Sequence, residues 1–194
     1  MQVPDTFVAL ARAHAHRRKL KYKRGYGYAE GWSRLGSGWF GEAWEHDDYP
    51  GLVLKVSGRG GFGFASSSSY CPTSHERRTK PVPDLDSWQV YAQYCHKHPH
   101  EHLPRVLHFE RINAAVAWAI MPKYRPFEYS VAGCQVQRQW REWLNGARGA
   151  PEWMWPIIGM ASSLRMTIDL HGGNIMRQDD GTLVMTDPFS SIGT

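Results

Sequence analysis

Short apolar runs in the first half of the chain alternate with turn residues, as they do in an antiparallel sheet. The runs predict five strands, over residues 32–35, 42–46, 52–56, 106–109 and 116–120. A glycine-rich turn separates the first two runs, and Asp47-Asp48-Tyr49-Pro50-Gly51 separates the second from the third. The last two runs form a hairpin. The first half therefore predicts a small antiparallel sheet.

Apolar positions at helical spacing predict helices before, within and after that sheet. The predicted helices cover residues 5–24, the segment from about 84 to 95, residues 136–144 and residues 156–165. Met121 to Tyr124 is the connector out of the sheet, and a late hairpin turns at Asp179-Asp180-Gly181. This order is an α+β pattern with two lobes.

Composition narrows the class of protein. Hydrophobic residues make up 42% and charged residues 21% of the 194 residues, which is globular. No apolar run approaches the roughly 18–20 residues that span a bilayer, and the N-terminus lacks the pattern of a signal peptide. The three cysteines form no C-x-x-C, so they support neither a disulfide framework nor a cysteine zinc site. We therefore expect a soluble cytoplasmic protein.

Two stretches differ in composition from the rest of the chain. Residues 57–83 are rich in glycine and serine and predict a long loop. Residues 17–24 carry much of the formal charge of +5, and such a block could contact nucleic acid or an acidic partner. A solvated helix end is the favoured interpretation, because no regular interleaving of aromatic residues provides a platform for single strands.

The glycine-rich turn Gly36-Ser37-Gly38-Trp39-Phe40-Gly41 lies between two predicted strands. A Rossmann fingerprint needs a helix after it, so the hairpin form is favoured here. Such a turn can cover nucleotide phosphates, because glycine lets backbone N–H groups approach closely. Lys55 follows in an apolar strand, where its ammonium group needs a partner or water. An anion held between this strand and the glycine turn would satisfy it.

The late segment supplies oxygen ligands and a carboxylate at close spacing. Asp169 precedes Asn174 by five residues, and the predicted hairpin then delivers Asp187. Mg²⁺ prefers oxygen ligands, and Asn174 and Asp187 have the right chemistry. Asp169 has the chemistry to orient an acceptor hydroxyl and take its proton.

Taken together, these motifs resemble the protein kinase superfamily over roughly residues 32–190. The glycine turn is similar to the glycine-rich loop, and Leu52-Val53-Leu54-Lys55 is similar to the V-A-I-K strand. Thr167 to Asn174 stands in place of the catalytic loop, and Asp187-Pro188-Phe189 in place of D-F-G. The sequence from Asp169 to Met176, followed by Thr186-Asp187-Pro188, resembles most closely the corresponding motif of the early serine/threonine kinases of short-tailed bacteriophages.

The resemblance implies a minimal bilobal kinase-like domain spanning residues 1–194. Residues 1–121 would form an antiparallel-sheet N-lobe with one helix, and residues 122–194 a truncated, mainly helical C-lobe. ATP and Mg²⁺ would be the cofactors. The implied nucleotide-binding residues are Gly36, Ser37, Gly38, Gly41, Lys55 and Met121, the metal ligands Asn174 and Asp187, and the catalytic residues Asp169, Lys55 and Asn174.

Three departures from the family pattern qualify this expectation. Thr167-Ile168 replaces the His-Arg pair of the catalytic loop, which puts control by activation-loop phosphorylation in doubt. No clear glutamate follows the Lys55 strand, so Asp86 and then Glu76 are the candidate acidic partners. The sequence continues only seven residues past Asp187, and from this we expect the peptide-substrate platform to be missing.

The resemblance implies that the protein phosphorylates host proteins and itself, in the cytoplasm of a host cell if it is phage-encoded. Ser66 to Ser69 are a hypothesis for self-phosphorylation, and a simple linker is the alternative. Two other functions stay open: a small-molecule phosphotransferase of the aminoglycoside or choline kinase type, and a pseudokinase that binds a host protein. An incomplete second lobe could also leave an apolar face that forms a homodimer.

Overall fold

The computed structural model of this chain describes residues 2–20, 29–37, 41–58, 87–113, 116–127 and 129–192. Within these ranges the chain forms four α-helices and ten strands, which confirms the predicted α+β class. None of the helices in these ranges is both long and apolar enough to cross a membrane.

A five-stranded antiparallel sheet occupies the first part of the chain. Its strands are β1 (Trp32–Ser37), β2 (Gly41–His46), β3 (Leu52–Gly58), β4 (His108–Arg111) and β5 (Val116–Pro122). They lie in the order β1-β2-β3-β5-β4, so β3 has a hydrogen-bonded neighbour on each side. All five strands were predicted, although β3 also includes Ser57 and Gly58, which the sequence assigned to the long loop.

Helix α1 (Asp5–Leu20) covers one face of this sheet. Its buried apolar side chains recur every four residues, at Phe7, Ala11 and Ala15, and His14 is buried beside them. The ring of Phe7 stacks on Trp32 with centroids 5.9 Å apart. Arg12, on the solvent side of the helix, forms an ion pair with Glu110 of β4 at 2.7 Å. The predicted helix extended to residue 24, and residues 21–24 lie outside the described ranges.

Helix α2 (Ser87–Lys97) packs on the opposite face of the sheet, between β3 and β4 in chain order. Trp88, Ala92 and Cys95 are buried, as their helical spacing predicted. Because side chains alternate along a strand, Val53 and Lys55 of β3 belong to this face and Leu54 to the α1 face. The sheet is therefore covered on both sides, and Lys55 points towards α2.

The second part of the chain is a set of short elements that follow the connector. They are β6 (Arg125–Pro126), α3 (Val131–Leu144), α4 (Trp155–Ser163), β7 (Met166–Ile168), β8 (Ile175–Arg177), β9 (Leu183–Met185) and β10 (Phe189–Ile192). Strands β8 and β9 form the predicted late hairpin, with β6 alongside β8. Strand β10 pairs with β7, which the sequence did not indicate.

Helix α3 begins five residues before the predicted start at residue 136. The side chain of Ser130 caps it by accepting a hydrogen bond from the backbone of Gly133 at 3.1 Å. Val131 in the first turn is 79% exposed, so the apolar pattern starts later than the helix itself. The physical start is set by the cap and not by the buried face.

Candidate functional site

Lys55 lies in the middle of β3, where it pairs with Ala43 of β2 and Ala119 of β5. Its ammonium group is 2.6 Å from a carboxylate oxygen of Asp187, which is 132 residues later in the chain. The two side chains are 18% and 26% exposed. The ion pair supplies the partner that a lysine in an apolar strand requires.

The backbone around Asp187 is held by the carbonyl of Asn174. That carbonyl accepts hydrogen bonds from the backbone N–H of Thr186 at 2.8 Å and from its hydroxyl at 3.0 Å. The backbone N–H of Asp187 lies 3.4 Å from the same oxygen. Two of the three residues that the late motif singled out are therefore in direct backbone contact.

Asp169 lies in the same cluster of residues as Lys55, Asn174 and Asp187, and its backbone makes two contacts there. Its N–H donates to the carbonyl of Pro188 at 2.8 Å, because β7 and β10 pair directly beside it. Its carbonyl accepts from the side-chain amide of Asn174 at 2.6 Å. Among the described residues, nothing hydrogen-bonds the half-buried carboxylate of Asp169. The contacts therefore hold the backbone of Asp169 on both sides and leave its carboxylate without a hydrogen bond from a described residue.

The oxygens of this cluster fit a magnesium ion. Since the amide nitrogen of Asn174 donates to Asp169, its amide oxygen is directed away from that bond. Asp187 uses one carboxylate oxygen for Lys55 and keeps the other. An amide oxygen and a carboxylate oxygen on neighbouring backbone segments are a ligand set that Mg²⁺ accepts together with phosphates and water.

A tight turn connects Asp169 to Asn174. The ring of His171 accepts from the N–H of Gly173 at 3.0 Å, and its carbonyl accepts from the N–H of Asn174 at 2.9 Å. A β-carbon on Gly172 would collide with the Tyr129 hydroxyl, but Tyr129 is 76% exposed and can move aside. The hydrogen bond to the ring of His171 explains the histidine of the Asp-Leu-His-Gly-Gly-Asn sequence.

Helix α3 anchors the start of that turn. The carbonyl of Leu170 accepts from the side chains of Gln137 at 3.2 Å and Arg141 at 3.0 Å. The two donors are one helical turn apart on the same face of α3. This helix therefore fixes the peptide that follows Asp169.

Helix α2 contacts the side chain of Lys55 and the backbone on both sides of Asp187. The face of Trp88 lies under the Lys55 ammonium group, 4.8 Å from nitrogen to ring centroid. Ser87 donates to the carbonyl of Phe189 at 3.2 Å, and Tyr91 donates to the carbonyl of Met185 at 2.5 Å. Burial raises the pKa of the Tyr91 hydroxyl well above its usual value, so it stays a proton donor.

The glycine-rich turn joins β1 and β2 as a hairpin, which confirms that interpretation over a strand–helix arrangement. Gly36 and Ser37 end β1, Gly41 begins β2, and Gly38 lies outside the described residues with Trp39 and Phe40. A β-carbon at Gly41 would lie 2.7 Å from the backbone oxygen of Val56. Gly41 is thus required by the close approach of β2 to β3.

Met121 is in β5, where it pairs with Val53 and has a buried side chain. It shares the Lys55 face of the sheet and is the first residue of the connector. A cavity of about 410 Å³ is lined by the connector residues Lys123 and Tyr124 together with Leu103 and Gln178. None of the predicted site residues lines it, so the candidate site is assigned from side-chain chemistry.

Sequence reasoning did not predict the ion pair of Lys55 with Asp187. The acidic partners that it proposed, Asp86 and then Glu76, lie outside the described residues, as do Ser66 to Ser69, so these stay predictions. It took Trp88 as a core residue from its spacing, and no sequence signal indicated that its ring faces Lys55. The contacts of Gln137 and Arg141 were also not predicted, because they depend on how α3 packs.

The chain matches no protein-family model, and comparison with curated proteins finds no significant relative.

Proposed function

We propose that this chain is an ATP- and magnesium-dependent serine/threonine protein kinase of the bacteriophage type, with a minimal bilobal kinase-like fold. The observation that carries the proposal is the contact between Lys55 and Asp187, 2.6 Å apart. A lysine on the third strand and a carboxylate after the late hairpin are the two groups that phosphoryl-transfer sites of this kind bring together. Asp169 and Asn174 are tied to the same backbone.

Each residue then has a stated role. Lys55 holds phosphate oxygens of the nucleotide, and the turn from Gly36 to Gly41 covers them. Asn174 and Asp187 hold the metal ion through their oxygens. A magnesium ion held by these two residues would neutralise the negative charge that develops on the phosphates. Asp169 orients the acceptor hydroxyl and takes its proton.

The acceptor is the less constrained part of the proposal. We propose that host proteins, and the chain itself at Ser66 to Ser69, receive the phosphate in the cytoplasm of the host. The competing small-molecule activity is tested by offering an aminoglycoside or choline as acceptor alongside bacterial protein. Label on protein alone supports the kinase, and turnover with the small cation alone contradicts it.

Nucleotide binding can be tested by thermal unfolding with and without Mg-ATP. At a ligand concentration 100-fold above Kd, binding should stabilise the protein by about 2.7 kcal/mol, or roughly 5–10 °C for a chain of this size. Lys55→Met and Asp187→Asn should each lose most of this shift. Lys123→Met is the matched control, because Lys123 pairs with Glu45 at 2.7 Å and does not contact the cluster. An equal shift in all four proteins would refute the assignment.

A pseudokinase would bind Mg-ATP without transferring phosphate. Hydrogen bonds hold the backbone of Asp169 on both sides, and no described residue hydrogen-bonds its carboxylate. This arrangement supports a working general base over a vestigial one.

A further inference from the structure

The ammonium group of Lys55 has two neighbours in the described structure. One is the Asp187 carboxylate at 2.6 Å, and the other is the indole face of Trp88 at 4.8 Å from the ring centroid. A cation within about 6 Å of an indole centroid is attracted by the ring quadrupole. Trp88 is only 2% exposed, so water competes little for the ring.

Helix α2, which carries Trp88, is hydrogen-bonded to the segment that carries Asp187. The neighbouring Ser87 hydroxyl donates to the carbonyl of Phe189, two residues after Asp187. One helical turn on, the Tyr91 hydroxyl donates to the carbonyl of Met185, two residues before it. One face of α2 is therefore bonded to both sides of Asp187.

In the proposed function, only one of the two neighbours of Lys55 also binds the metal ion. Asp187 is also a candidate metal ligand, and a carboxylate that binds a divalent cation interacts less with a lysine. The Trp88 ring has no metal-binding atom and stays available. The ring is therefore the contact that persists when the carboxylate is engaged elsewhere.

We propose that Trp88 is the positioning residue for Lys55, holding its ammonium group at the phosphate site when Asp187 engages magnesium. This inference rests on the proposed function. It gives α2 a role in nucleotide binding through an aromatic face.

The first test is the contact itself, in the ligand-free protein. Urea midpoints of wild type, Lys55→Met, Trp88→Leu and the double variant form a double-mutant cycle. If the ammonium and the ring interact, the double variant is less destabilised than the sum of the two single variants. Additive midpoints would show that the two side chains are uncoupled, and the proposal would be overturned whether or not the protein binds nucleotide.

The second test is calorimetric ATP affinity with and without magnesium. With magnesium, Trp88→Leu should weaken binding roughly 3- to 30-fold, the range for a partly desolvated cation–π contact, and Trp88→Phe should recover part of it. Without magnesium the loss should be smaller, because Asp187 still holds Lys55. Trp140→Leu is the matched control, since Trp140 is 4% exposed in the same core and does not contact Lys55.

The outcomes separate this inference from the proposed function. A coupled cycle with equal affinity losses in Trp88→Leu and Trp140→Leu would make the ring merely structural and overturn the inference. A wild-type protein that binds no Mg-ATP would overturn the proposed function, and the inference with it. A magnesium-dependent loss confined to the Trp88 variants supports both.

Discussion

Gly41 and Gly36 belong to the same motif, but the structure gives them different reasons to be glycine. A β-carbon at Gly41 would lie 2.7 Å from the carbonyl oxygen of Val56, whereas one at Gly36 would meet nothing within 4 Å. Ordinary contact begins at about 3.4 Å, so Gly41→Ala requires the two strands to move apart by about 0.7 Å. Val56 is fully buried in the sheet and cannot retreat easily.

Forcing such a backbone shift in a packed region typically costs about 1–3 kcal/mol. With a urea m-value near 2 kcal/mol/M, Gly41→Ala should lower the unfolding midpoint by roughly 1 M. Gly36→Ala should change stability by no more than about 0.5 kcal/mol in either direction. The assay is equilibrium urea unfolding of the three proteins followed by tryptophan fluorescence.

Equal midpoints for Gly41→Ala and wild type would refute the close approach of β2 to β3. An equal destabilisation by both substitutions would refute the distinction between the two glycines. If the predicted difference is found, Gly41 is a glycine because β2 packs closely on β3. Gly36 is then the position of the motif that a ligand can approach.

Three further predictions concern the ion pair of Arg12 with Glu110, the cysteines Cys134 and Cys95, and the contact of Arg141 with Leu170. A hydrogen bond from Arg12 lowers the pKa of Glu110 from its ordinary value of 4.5, so this contribution to stability is complete above that value and is lost as pH falls through the lower folded pKa. The urea midpoint should therefore fall less in Glu110→Gln than in wild type between about pH 6 and about pH 3, and identical slopes would contradict the pairing. Cys134 is exposed, while burial raises the pKa of Cys95 to about 12, so peptide mapping after brief alkylation should find label on Cys134 and not on Cys95 until the protein unfolds. Arg141→Met should slow phosphate transfer by roughly tenfold with little change in ATP affinity, since one lost hydrogen bond to a charged donor is worth about 1.5 kcal/mol, and an unchanged rate would argue against this anchor.

The strands were predictable because local features determine them. Leu52 to Val56 is an apolar run bounded by turns, and it forms a central strand. The late hairpin was predicted from Asp179-Asp180-Gly181, and Gly181 adopts a positive φ of 92° there. In these elements the residues that set the structure are neighbours in sequence.

The coverage of the sheet by α1 was not predictable in the same way. Of its four buried residues, two are alanines and one is His14, and these contribute little to an apolar pattern. The alanines allow close approach of the helix to the sheet, but their role is visible only once Trp32 and Trp44 are in place beside them. A weakly patterned helix does not indicate its own packing partner.

The site was predicted as a set of residues and not as a set of contacts. Asp169, Asn174 and Asp187 were identified from chemistry and spacing. The β8–β9 hairpin brings Asn174 beside Asp187, and pairing of β7 with β10 adds Asp169. That pairing joins two short strands across the late hairpin, and neither strand has a distinctive pattern. Contacts between distant segments depend on packing, which a single sequence does not encode locally.

Phosphate transfer is the most direct test of the central claim. The full chain is incubated with γ-labelled ATP, magnesium and bacterial protein, and label is mapped on protein, in parallel with Asp169→Asn. We predict label on serine or threonine in the wild-type reaction and nearly none in the variant, which still binds Mg-ATP. Full transfer by Asp169→Asn, or no transfer by a wild-type protein that binds Mg-ATP, would contradict the account.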